Sequence, residues 1–236
     1  MYLVDYFHKK KIKKFLKSTI KDKKIVVIDV GAHHGETIKF FLENFRIKKI
    51  FSYEASKENF EILKRKFVAN QINLLIKNFG IGEKEGSLLL NQVNESSSST
   101  FCAIDQNSSY YKKKNRLLNF FFFNKNYVKK KIQVPVTTLS NEILKNRISN
   151  VDILKIDTEG FEFNVIKGTQ KYINQINYIF FEHHYDNMLK KNYKFNDLHS
   201  YLLKKNFRKV FKIKMPFRKT FEYIYANNNI CDNSAD

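Results

Sequence analysis

At 236 residues the chain has the length of one domain with a sizeable core, and 15% aromatic residues with only two prolines exclude a disordered chain. Its formal net charge of +20 invites an anionic partner, yet only six of the 43 basic residues are arginine, so a Lys-, Asn-, Ile- and Phe-rich coding bias explains the charge at least as well. Cys102 and Cys231 stand far apart with no C-x-x-C pair, which argues against a disulfide framework or a cysteine zinc site and fits reduced thiols in the cytoplasm.

Residues 1–24 place Leu3, Tyr6, Phe7, Ile12, Phe15, Leu16 and Ile20 at helical spacing among lysines. This basic amphipathic helix would either cap the sheet or lie on an anionic membrane surface. No run reaches the ~20 apolar residues of a membrane span, and no signal-peptide core is expected. Residues 25–236 then read as one domain. Val26 to Val30 is a β-branched strand that runs into Gly31-Ala32-His33-His34-Gly35, and Ile38, Phe41, Leu42 and Phe45 mark a helix after it. Such a strand, glycine turn and helix suit a nucleotide-like ligand, with backbone N–H groups expected to face outward. The G-x-x-x-G spacing, with no Gly-Lys-Ser/Thr, argues against a P-loop.

Lys49 to Tyr53 is a second strand ending at Glu54, Ser56 opens a helix, and Ile72 to Ile76 is a third strand leading to Asn78 and Gly80. Ser87 to Leu90 adds a short strand. A polar, serine-rich loop covers 94–100, and an aromatic and basic insertion at 105–131 is a candidate acceptor lid. Pro135 suggests that the strand at 132–136 lies on an edge, and a helix starts at Leu139. Val151 to Ile156 is a strand ending in Asp157-Thr158-Glu159-Gly160; a helical stretch separates it from Ile176 to Phe181, which ends in Glu182-His183-His184. A helix at 198–203 and two closing strands, 210–213 and 221–225, complete the chain. Repeated β-α alternation predicts an α/β fold with a mostly parallel sheet and helices on both faces. All seven glycines fall between Gly31 and Gly168, and most of them follow strands.

The acids at strand ends are the chemical signal. A carboxylate after the second strand, Glu54, can take both hydroxyls of a ribose. Asp157, Glu159, Glu182 and His183 are candidates for the proton transfer that a hydroxyl acceptor requires. The block Val27-Ile28-Asp29-Val30-Gly31-Ala32-x-x-Gly35, with Tyr53-Glu54-Ala55, Leu154-Lys155-Ile156-Asp157-Thr158-Glu159-Gly160-x-Glu162 and Phe181-Glu182, resembles the FkbM-type S-adenosylmethionine-dependent methyltransferases. That resemblance implies a class I methyltransferase (Rossmann-like) three-layer sandwich, with a seven-stranded, mostly parallel sheet and one antiparallel strand at its edge. It implies S-adenosyl-L-methionine as cofactor, held by Asp29, Gly31, Ala32, His33, Gly35, Glu54, Asn78 and Gly80. His33 departs from the asparagine usual in the family. Ser99, Tyr110 and Tyr111 are the expected acceptor contacts, and the implied reaction is O-methylation of a sugar, glycan or related metabolite. The same acids would suit a divalent cation, but no metal is assigned. A nucleic-acid acceptor gains from the charge and loses on the low arginine count and the missing N/D-P-P-Y/F motif. A non-catalytic binding domain of the same fold is the other rival.

Overall fold

The computed structural model describes residues 2–67, 73–93, 99–122, 128–216 and 218–230. The elements in chain order are α1 (Tyr2–Ile20), β1 (Ile25–Val30), α2 (Glu36–Asn44), β2 (Ile47–Tyr53), α3 (Lys57–Lys66), β3 (Leu74–Lys77), β4 (Gly80–Ile81), β5 (Gly86–Val93), β6 (Ala103–Ile104) and α4 (Ser109–Phe122). They continue with β7 (Val128–Thr137), α5 (Leu139–Lys145), β8 (Val151–Ile156), α6 (Glu162–Lys167), a 3₁₀ turn (Gln170–Gln175), β9 (Ile176–His184), β10 (Leu189–Lys190), α7 (Phe195–Lys204), β11 (Phe207–Lys214) and β12 (Thr220–Asn227).

The main sheet has seven strands in the order β11-β12-β9-β8-β1-β2-β3. Every pairing from β9 to β3 is parallel, and β12 runs antiparallel to both its neighbours. The antiparallel strand is therefore second from the edge, not the edge strand expected. A hairpin joins β11 to β12, and β12 itself slots between β11 and β9. β8 is buried at every position and β1 at all but one, which is why both read as mostly apolar runs, broken only by Asp29 in β1 and by Asp152 and Lys155 in β8, and not as alternation.

Helices cover both faces. Ile38, Phe41 and Leu63 from α2 and α3 pack with Ile25, Val27, Ile50 and Ile153 on one face. Leu139, Ile143, Leu198 and Leu202 from α5 and α7 pack with Ile28, Leu154, Ile156 and Phe181 on the other. Each such fully buried aliphatic side chain is worth about 1.5–3 kcal/mol relative to exposure. α1 belongs to this core: Ile12, Leu16 and Ile20 are buried against the α2–α3 face, and Phe15 stacks on Phe211 at 4.8 Å. Ile12, Leu16 and Ile20 of the apolar stripe are thus taken up by the core, while Phe7 is exposed and Lys9, Lys10, Lys11, Lys14 and Lys17 point outward.

A second, three-stranded sheet, β4-β7-β5, lies beside the main one. β7 is its central strand, contrary to the edge position suggested by Pro135. The proline is accommodated because β4 pairs only with Val136 and Thr137, leaving Pro135 paired on one side alone, to Ser87. The insertion at 105–131 supplies α4 and the start of β7. Ile72, most of the serine run, Phe123 and Cys231 lie outside the described residues.

Candidate active site

Turns at the C-terminal ends of β1, β2 and β8 meet at one point, the usual ligand-binding end of a parallel α/β sheet. Gly31 has φ +86°, and a Cβ there would stand 1.9 Å from the Asp157 carbonyl oxygen, so only glycine lets the β1 and β8 turns touch. The N–H groups of this turn do not face outward, as the sequence pattern suggested. Gly31 and Ala32 both donate to the Tyr53 carbonyl, at 3.0 and 3.1 Å, and His33 donates to Glu54 Oε2 at 2.8 Å. The turn is clipped to the end of β2, and what it offers a ligand is a glycine surface. Gly35, at φ +85°, admits the Phe67 and Leu63 side chains behind the turn.

Glu54 is the hub of this clip. Its second oxygen accepts from Ser56 N at 2.8 Å, and the Asn78 amide donates to the Glu54 and Ala55 carbonyls at 2.8 and 3.3 Å. Burial raises the Glu54 pKa, and the two backbone donors and His33 oppose that shift. Gly31, His33, Glu54, Gly80, Ser99, Thr100 and Asp157 all line one cleft of about 50 Å³. Asn78 stands behind it, holding the Glu54–Ala55 backbone. The Phe101 ring lies where a Gly80 Cβ would be, 2.6 Å from that position, and also lines the cleft. Ligand pockets usually hold about 300–1,000 Å³, so the cleft in this form is narrow.

Asp29 lines neither cavity. It lies inside β1, flanked in register by Ser52 on β2 and Lys155 on β8. Ser52 Oγ donates to Oδ2 at 3.1 Å, and Oδ1 is buried without a partner. Burial pushes the Asp29 carboxyl up to about 7, with Lys155 opposing.

A larger cavity of about 540 Å³ opens on the α1 side of the turn. It shares Gly31, His33 and Asp157 with the first, so the two spaces meet at those residues. Among its charged lining residues carboxylates are in the majority: Glu36, Asp157, Glu159, Glu182 and Glu222, against the cations Lys9, Lys155 and Arg218. Glu182 and Glu222 lie directly opposite each other on β9 and β12, an arrangement that repels unless it is neutralised. The buried Lys155 ammonium, 3.8 Å from Glu222 and 3.7 Å from Asp157, supplies one counter-charge. His8, from α1, also contacts Glu222. Burial lowers the Lys155 pKa, but Asp157, Glu222, Glu182 and Asp29 outweigh it and hold the ammonium charged.

Alternation along β9 sorts the remaining candidates. Glu182 and His184 share the cavity face, with His184 Nε2 3.0 Å from Glu159 and 3.1 Å from Glu182. Burial alone would depress His184, yet these carboxylates and Asp186 hold it well above the ordinary histidine value. Burial would raise Glu159, and His184, Lys114 and Arg218 pull it below its usual range instead. Asp157 behaves differently: burial, with Glu182, Glu159 and Glu222 nearby, lifts it well above the carboxylate range despite Lys155. His183 points to the opposite face, among Tyr185, Tyr193 and Phe195, where burial depresses it to about 3. It lines neither cavity, so the structure removes it from the acid cluster. Tyr110 and Tyr111 also lie away from both spaces, packed with Val93, Cys102 and Met188, while Ser99 borders the smaller cleft and not the larger. His8, Lys155, His184 and Glu222 complete the site. Lys155 sat in the recognised block, but nothing local marked His8 or Glu222.

Among solved structures, a methyltransferase FkbM from Methylobacillus flagellatus is similar over 86% of this chain, with 14% identity and a TM-score of 0.56. The match covers 43% of that protein, so this chain spans less than half its length. M. capricolum TrmK, solved with S-adenosyl-homocysteine, matches 94% of this chain and 68% of its own, with 10% identity and a TM-score of 0.51. A Streptococcus pneumoniae putative tRNA (m1A22) methyltransferase, solved with S-adenosyl-L-methionine, matches 92% and 72%, with 10% identity and a TM-score of 0.50. At such identities these likenesses speak for the fold. Among curated proteins there is no match. The family model described as the methyltransferase FkbM domain matches residues 29–209, which include the glycine turn after β1, the whole of β8 and every acid of the cluster except Glu222, and the chain belongs to that family.

Proposed function

We propose that this methyltransferase uses S-adenosyl-L-methionine to methylate a hydroxyl of a neutral sugar, glycan or related small metabolite. The observation that carries the reading is the meeting of a glycine-floored cleft and an acid-lined cavity at Gly31, His33 and Asp157. The cofactor fits the cleft residues: Glu54 borders it with a buried carboxylate, and Gly31 leaves room where a side chain would sit. When bound, the cofactor supplies an electrophilic methyl group.

Alignment of donor and acceptor can account for roughly 7–11 kcal/mol of a transfer barrier, so the chain's first task is positioning. Glu182 and Glu159, held by His184, are placed to accept hydrogen bonds from acceptor hydroxyls. Asp157 is the proton acceptor in this reading. Burial and the neighbouring carboxylates raise its pKa and so make its carboxylate a stronger base, while Lys155 at 3.7 Å steadies the charged form. Five carboxylates against three cations disfavour a polyphosphate chain in the cavity, which supports a neutral acceptor over RNA. A cytoplasmic setting belongs to the same reading; Cys102 is a buried free thiol.

Calorimetric titration with S-adenosylhomocysteine, followed by transfer of labelled methyl to neutral sugars and cell-envelope extracts, tests the proposal. Binding with label in a neutral glycan is expected. No binding of the homocysteine product overturns the reading, and label appearing only in RNA overturns the acceptor class.

A further inference from the structure

The outer face of α1 is not absorbed by either cavity. Residues 9–20 of α1 carry six lysines and no acid, where an even spread of the chain's lysines would put about two, so compositional bias alone does not account for them. Lys9, Lys10, Lys11, Lys14 and Lys17 are exposed, while Ile12, Leu16 and Ile20 on the inner face are buried in the core. The helix is fixed to the domain, and its charge is displayed, not folded inward. Phe7, at the same end, is 55% exposed. Lys9 also lines the rim of the larger cavity together with Arg218, which is likewise exposed. Among the exposed charged residues lining this cavity, Lys9 and Arg218 outnumber the single acid Glu36, whereas its buried acids are Glu182 and Glu222.

We propose that α1 docks the protein on an anionic lipid bilayer, with the cavity rim turned toward the headgroups. A flat array of lysines on a rigid helix complements a negatively charged plane, and each lysine near such a surface strengthens binding about fivefold. Because Ile12, Leu16 and Ile20 are already packed in the core, attachment is chiefly electrostatic and salt-sensitive, unlike that of a helix that buries its apolar side in the membrane. The docking stands by itself; its corollary, an acceptor carried by a lipid or at the membrane surface, rests on the methyltransferase reading above.

The test is co-sedimentation of the full chain with phosphatidylcholine vesicles, with and without about 30 mol% phosphatidylglycerol, in about 0.1 M salt. Two variants of equal net charge are compared: Lys10→Gln/Lys14→Gln/Lys17→Gln on α1, and Lys145→Gln/Lys171→Gln/Lys204→Gln, exposed residues whose helices cover the opposite face. Retention on the anionic vesicles alone is expected, with at least tenfold weakening in the first variant and under threefold in the second. Equal weakening in both, no retention of the parent protein, or α1-dependent binding of a single-stranded RNA without vesicle binding overturns the proposal. Titration with S-adenosylhomocysteine on the same samples keeps the two readings apart, since neither triple variant touches the cleft.

Discussion

The two cavities that meet at Asp157 are built in opposite ways. The smaller is made mainly from short pieces, a turn, a strand-end acid and a loop, each of them a few consecutive residues at the end of a strand. The larger is gathered by sheet register from His8 at one end of the chain to Glu222 near the other. The first is held by backbone hydrogen bonds to Tyr53 and Glu54, the second by charges that offset one another. A local device tolerates no change of shape, whereas a charge cluster tolerates shape changes but not changes of sign. Substitutions on each side can break or sharpen that contrast.

The largest effect is expected at Gly31. Alanine there would need a left-handed φ and would drive its Cβ into the Asp157 carbonyl, for a combined cost of roughly 3 kcal/mol or more. Gly31→Ala should abolish measurable binding of S-adenosylhomocysteine and lower the melting temperature. Retained affinity would mean that the contact between the β1 and β8 turns is not needed for the cleft.

Asp29 comes next, and its effect depends on pH. Its carboxyl stays protonated to about 7 in the folded chain but ionises near 4 when unfolded, so the fold loses stability as pH rises between those values. The loss amounts to up to about 4 kcal/mol and is complete above pH 7. Asp29→Asn removes the titration. Relative to the parent, its stability should climb from pH 4 to pH 7 and then level off in denaturant titrations. Glu54→Gln is milder. It keeps the shape and one acceptor oxygen, and should weaken S-adenosylhomocysteine by about tenfold, in line with a charged hydrogen bond worth about 1.5–3 kcal/mol.

The same contrast explains what could be read from the sequence. The strand–turn–helix at 26–45, Glu54 and the Asp157 block were legible because hydrophobic period and glycine placement are local. Ser56 as helix cap was legible too, its hydroxyl accepting from Asn59 N. The inner position of β12 and the central position of β7 were not, because pairing partners are chosen by the whole sheet. Glu222 looked like any other polar residue in a closing hairpin; only its register opposite Glu182 gives it a role. The charge on α1 was visible, but which side of the helix the sheet would claim was not.

The histidine pair on β9 is the smallest and cleanest test. Reading 182–184 as residues beyond a strand end makes His183 and His184 near equivalents, whereas β9 extends through both and alternation separates them. His183 is neutral in an aromatic pocket, its pKa depressed to about 3, so no charge is lost when it is replaced. His183→Phe should leave S-adenosylhomocysteine affinity, and turnover once an acceptor is found, within about twofold. It should also resist acid better: between pH 6.5 and 3 the unfolded histidine binds a proton that the folded one refuses, which costs the parent stability as pH falls. His184 has the opposite sign. Its raised pKa gives stability that is full below about pH 6.5 and is lost as pH rises through the folded value, so His184→Gln should cost most in mild acid. A tenfold loss of S-adenosylhomocysteine affinity in His183→Phe would place the wrong face of β9 against the site.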